Sequence, residues 1–176
     1  QLYSVDTSSG AASGPWSGDF PATGPQDFSV DAAAGMAYYL TDETPARLVV
    51  LNMATREFSS PVTPSVQYGN CQGQTLDPTG QVIWASCQET ATGDWKLVDV
   101  YVGDPANPYL DAVGPADPGM LDYSWNQDYG DLVGIDSNNV MWRVNRATGE
   151  LTSPVYAPGS GSVRGPRFNF APNGDL

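Results

Sequence analysis

The chain has 176 residues, 20 acidic against 7 basic side chains, a formal net charge of -13 and no histidine. That length suits one domain, and the charge repels phosphate backbones and anionic lipid, which argues against a nucleic-acid partner or an anionic membrane surface. Without histidine, Ser-His-Asp and Cys-His chemistry, most transition-metal sites and histidine-dependent lyases are disfavoured, and no segment approaches the roughly 20 apolar residues that span a bilayer, so membrane insertion is not expected.

The 19 glycines and 15 prolines carry no collagen period, and no long run repeats every 3.6 residues; many short strands joined by tight turns fit best. Leu2 to Val5 reads as a strand entering a turn over Asp6 to Gly10, where Asp6 supplies Asx capping and Gly10 tolerates positive φ. No charged n-region with an apolar stretch opens the chain, so an exported protein would have lost its signal already. Phe28 to Asp31 turns through Gly35 into Met36 to Leu40, and Leu48 to Leu51 leads into a further strand through a turn where Arg56 replaces glycine. Gln74 to Asp77, Pro78 to Gly80 and Gln81 to Ser86 read as a hairpin turning near Thr79. Its register sets Leu76 opposite Val82, Gln74 opposite Trp84 and Cys71 opposite Cys87. A Cys71–Cys87 disulfide and an oxidising compartment follow, two buried thiols being the alternative; two cysteines without histidine do not make a zinc site. Leu97 to Tyr101 meets a longer connection, Gly103 to Pro108. Tyr123 to Asn126 turns through Gly130 into Asp131 to Ile135, Met141 to Val144 turns over Asn145 to Gly149, and Phe168 to Ala171 opens a last hairpin at Asn173-Gly174.

Asn52 to Val62 aligns with Asn145 to Val155 and with Asp6 to Trp16. The markers Val5, Leu51, Val100 and Val144 recur about every 44–49 residues, the period of a four-stranded antiparallel blade. The expected fold is all-β: a β-propeller of about four such blades, the N- and C-terminal strands sharing one. Blade A covers 163–176 plus 1–18, blade B 24–63, blade C 70–114 and blade D 119–158. Leu2 to Gly10 and Trp142 to Leu151 resemble the third-to-fourth-strand hairpins of secreted propeller repeats of the quinoprotein-like and NHL-like kind, a resemblance that implies a fold and no activity. The closing interval is about ten residues short of the others. A self-closed ring, a part of a longer propeller and a strand supplied by another subunit therefore all stay open.

Alignment of the blades places Asp27, Gly73, Asp122 and Arg167 at equivalent positions before the first strand, beside Gln26, Gln72, Leu121 and Pro166. Asp27, Gln72, Asp122 and Arg167 are thus channel-mouth candidates for a cation, a sugar or a partner side chain; the structural alternative is an Arg–carboxylate pair between blades. Asp117, Asp122, Asp128, Asp131 and Asp136 are dense enough to consider calcium. Their spacing matches no EF-hand or glycine-rich calcium repeat, however, and solvated turns are the stronger reading. Trp16, Trp95 and Trp125 are candidates for sugar stacking, whereas Trp84 and Trp142 lie in core patterns. The reading is a non-catalytic, secreted binding module for a glycan or surface protein, with no cofactor unless calcium. Self-assembly with copies of itself into a filament or surface layer, through an incomplete blade, is the alternative. An acidic hydrolase or lyase comes third, with no carboxylate pair singled out.

Overall fold

A computed structural model describes residues 3–6, 8–15, 27–113, 120–126 and 130–156, none of them helical. Strands β1 (Ser4–Val5) and β2 (Ala12–Ser13) form a two-stranded sheet. The first four-stranded sheet comprises β3 (Ser29–Asp31), β4 (Met36–Leu40), β5 (Leu48–Asn52) and β6 (Glu57–Phe58). The second comprises β7 (Tyr68–Leu76), β8 (Val82–Glu89), β9 (Trp95–Tyr101) and β10 (Tyr109–Ala112), and the third β11 (Met120–Asn126), β12 (Asp131–Asp136), β13 (Met141–Val144) and β14 (Leu151–Tyr156). Each four-stranded sheet is an antiparallel meander in chain order. The hairpins expected around Gly35, Thr79 and Gly130 are present, while the one at Asn173-Gly174 lies outside the described residues.

The β1–β2, β5–β6 and β13–β14 turns share one device. A side-chain oxygen folds back onto the amides that follow it: Asp6 Oδ1 accepts from Ser8 N and Ser9 N, Asn52 Oδ1 from Ala54 N and Thr55 N, and Asn145 Oδ1 from Ala147 N. Four residues on, the amide closes the turn onto the capping residue's carbonyl at 2.7 Å in all three copies. That closing residue is left-handed each time, with φ of 70° at Gly10, 73° at Gly149 and 63° at Arg56. Arg56 therefore adopts the glycine conformation despite its Cβ, at a cost of roughly 1–2 kcal/mol.

The second hairpin corrects the expected register. Gln72 does pair with Ser86, but Leu76 pairs with Ile83 and Thr75 with Trp84, because β7 carries one extra residue on either side of Gln72. The bulges contain Asn70 (φ 48°) and Gly73 (φ 60°), residue types that accept the left-handed conformation a bulge demands. Between them Cys71 and Cys87 face each other with Cα atoms 4.1 Å apart and form the disulfide.

The three sheets stack with the second in the middle, buried on both faces. Along β8, Ile83, Ala85 and Cys87 pack with Val98, Val100 and the first sheet's Tyr38, Leu40, Leu48 and Val50. Trp84 turns the other way and joins Leu97, Val113 and the third sheet's Met120, Tyr123, Leu132 and Val144. Such two-sided burial explains why Val82 to Cys87 is nearly continuous in apolar residues rather than alternating. The outward faces of the stack are closed too. Ala37, Tyr39, Val49 and Leu51 on the first sheet are buried, with Phe28 edge-on to Tyr39 at 5.2 Å, and so are Val133, Ile135 and Met141 on the third.

Two stability outcomes follow. Cys71→Ala/Cys87→Ala, or reduction of the wild type, lowers the unfolding free energy by about 2–4 kcal/mol in a urea titration, since the link closes a loop of 16 residues. Arg56→Gly raises it by about 1 kcal/mol and the melting temperature by about 2–4 °C, whereas Arg56→Ala, which keeps the Cβ, does not.

Candidate functional site

The first strands of the three sheets run side by side, β3 and β11 each against β7, and polar side chains tie them together. Gln74 is buried on β7 and spans to the first sheet: its Nε2 donates to Ser29 Oγ (3.0 Å) and Tyr38 O (2.8 Å), and its Oε1 accepts from Leu40 N (2.8 Å). On the opposite face Ser86 Oγ donates to Met120 O (3.3 Å) and lies 3.3 Å from Tyr123 Oη. Sequence reasoning missed both, because a glutamine inside a strand looks like any half-exposed position until its partners, tens of residues away, are known.

At the entering end of these strands the structure brings together three of the aligned positions. Gly73 N donates to Asp27 Oδ2 at 3.1 Å, and a Cβ built on Gly73 would lie 2.6 Å from both Asp122 Cα and Leu121 O. Asp122 is buried, its Oδ1 accepting from Tyr123 N; Gln72 is half-buried in the strand pair beside them. Arg167 lies outside the described residues. This end is a tight backbone junction in which Asp27 serves a bulge amide.

The turn end of the same strands is open. A cavity of about 260 Å³ lies between the β3–β4 turn (Val30, Asp31, Ala32), the β7–β8 turn (Leu76, Asp77, Pro78, Gly80) and Trp125 of β11. Asp31 Oδ1 accepts from Ala33 N and Ala34 N. Asp77 Oδ1 accepts from Gln81 N and Val82 N, and its Oδ2 from the Thr79 hydroxyl. Gly80 (φ 71°) faces Asp31, and a Cβ there would sit 2.4 Å from Asp31 Oδ2. Trp125 carries the Arg146 guanidinium 4.8 Å from its ring centroid. A larger groove of about 610 Å³ runs between the outer strands of the first sheet and Pro105-Ala106 of the β9–β10 loop, over Met36, Val50 and Phe58. Two of its polar groups already serve backbone: Asn52 caps its turn and Ser59 Oγ accepts from Val50 N. Of these two cavities, it is the turn-end one that joins all three sheets.

The aspartates proposed for calcium are dispersed. Asp131 pairs with Arg143 at 3.1 Å. Asp136 accepts from Asn138 N, Val140 N and Trp142 Nε1; burial raises its pKa, but these bonds outweigh it and hold the carboxyl below the usual range. Asp117 and Asp128 lie outside the described residues, and among the described residues no three acidic or cysteine side chains are grouped to hold a metal ion. Of the tryptophans, Trp84 is buried, Trp142 packs on the same core, Trp95 starts β9 half-buried and Trp16 is outside the described residues.

One carboxylate pair does emerge. Asp99 and Asp111 are direct cross-strand partners on β9 and β10, and Trp84 is the partner of Asp99 on β8. Burial, then the neighbouring Asp111 charge, pushes the Asp99 carboxyl up. No known protein-family model matches the chain, and comparison with curated proteins returns no significant match.

A folded-state pKa above the unfolded value means that ionised Asp99 weighs against folding, and the loss is recovered as pH falls through that raised pKa. Asp99→Asn therefore raises the melting temperature at about pH 7, by no more than about 2–4 °C because the half-exposed pair is screened. The gain over wild type shrinks as the pH is lowered in parallel thermal melts.

Proposed function

We propose that the chain is a non-catalytic extracellular β-propeller module, with a fourth unit shared by its two ends, that binds a glycan or a surface protein at the turn-end cavity. The observation that carries this reading is the cavity itself: the first hairpins of three successive sheets contribute to it, with a tryptophan and two carboxylates. Pockets framed by several repeats of one scaffold are where ligands collect.

The ring is supported by burial at both ends of the stack. Tyr39 and Val49 at one end and Val133 and Met141 at the other are buried, as the end sheets of a ring would be. The disulfide suits an oxidising, extracellular setting.

A self-assembling subunit is the second reading, and it has its own observation. Val5 of β1 and Tyr3 just before it are exposed, 59% and 51% accessible, beside a unit that is two-stranded among the described residues and that a partner strand would extend. Sedimentation across a hundredfold concentration range separates the two readings, a constant monomer supporting the module and growing species the assembly.

Screening the protein against a glycan array and a panel of cell-surface ectodomains tests the binding reading. Trp125→Ala weakens any bound ligand at least about tenfold, the loss of one stacked aromatic contact. Trp125→Phe retains most of the affinity, and both variants keep the wild-type circular dichroism spectrum. A ligand indifferent to Trp125 refutes the cavity as the site.

A further inference from the structure

We infer that the turn-end cavity takes a lysine or arginine side chain presented by a partner protein, an inference that rests on reading this cavity as the binding site. Its lining sorts into two kinds of surface. Val30, Ala32, Leu76 and Pro78 offer aliphatic contact to a methylene stem, and Asp31, Asp77 and the Trp125 ring offer charge and a π face to a cationic head. At about 260 Å³ the space suits one side chain better than an oligosaccharide.

The charge balance gives the direction. Glu43–Arg47 and Asp131–Arg143 form ion pairs, whereas among the described residues Asp31 and Asp77 have no salt-bridge partner. Asp77 uses both oxygens within its own turn, but among the described residues no group donates to Asp31 Oδ2. Gly80 lies close to that oxygen without donating to it, and a Cβ there would sit 2.4 Å away, so only glycine leaves the oxygen in place at the cavity. Nor is the charge demanded by the turn: Asn52 and Asn145 cap turns of this chain through the same Oδ1-to-amide bonds with a neutral amide. Trp125 already stacks a guanidinium, that of Arg146, so the indole is suited to cations. A neutral sugar entering here would donate hydroxyls to the two carboxylates but leave their charge unneutralised, and an anionic one would be repelled.

Asp31→Asn/Asp77→Asn keeps the capping oxygens while removing both charges, so the fold is retained, as an unchanged melting temperature verifies. The probe is a short peptide of alternating arginine and glycine, titrated calorimetrically beside maltohexaose as the neutral saccharide. Glu57→Gln/Asp94→Asn removes the same charge away from the cavity and controls for the field of the whole acidic chain. The expected result is salt-sensitive peptide binding that falls at least about tenfold in Asp31→Asn/Asp77→Asn and stays within about twofold of wild type in the control. Equal weakening in both variants, or no peptide binding by the wild type, overturns the inference. Saccharide binding that Trp125→Ala abolishes overturns the basic guest and leaves the binding-module reading standing, and failure of both ligands counts against both.

Discussion

The structure depends on a sheet that must be covered twice. Because β8 points Ile83, Ala85 and Cys87 to one side and Trp84 and Ser86 to the other, neither face of the second sheet can be left to solvent. At about 25 cal/mol per Å² of apolar surface, each uncovered face would cost several kcal/mol. The neighbouring sheets are thereby held on either side, and Gln74 and Ser86 fix their alignment with bonds that apolar contact alone would not specify. The position of the turn-end cavity is a consequence: it lies where the hairpins of layers already locked together end.

Acidity has two separable origins in this chain. Asp6, Asp31, Asp77, Asp104 and Asp136 each accept from backbone amides of their own turns. At Asp6 the Ser8 hydroxyl and the Ser8 and Ser9 amides hold the carboxyl down at about 2. The turn geometry accounts for an Asx residue at these places and leaves the charge unexplained, since asparagine makes the same bonds at Asn52 and Asn145. Net charge is thus a property added to the fold, and its effect is to repel polyanions and attract cationic surfaces.

Local patterns were readable and non-local ones were not. Strand alternation, turn residues and a single pair of cysteines sufficed for the hairpins and the disulfide, because each involves neighbours in sequence. The exact pairing of Thr75 and Leu76 escaped, although Asn70 and Gly73 inside the strand carried the signal: both tolerate positive φ and so mark where an extra residue can be inserted. Alignment of repeats did bring Asp27, Gly73 and Asp122 to one junction. It could not show that the open space lies at the other end of those strands, because that depends on how far three turns stand apart in space. Arg56 departed visibly from the glycine of its sister turns, yet only the backbone shows that it keeps their conformation.

Irregularity is distributed unevenly across the sheets, and the distribution bears on function. The fourth strands differ in length, with two residues in β6, four in β10 and six in β14, and so do the first strands, with three in β3, nine in β7 and seven in β11. The turns before the fourth strands range from tight to the long Gly103 to Pro108 connection. A strand at an outer edge has one neighbour, so its length changes without disturbing the stack. Points where the first hairpins of neighbouring sheets touch have no such freedom. Gly73 meets the Asp122 backbone and Gly80 meets Asp31 with no room for even a methyl group, so a change there would move two sheets at once. The cavity beside Gly80 shares the close packing of its surroundings, so its two carboxylates and indole would need little ordering to receive a guest.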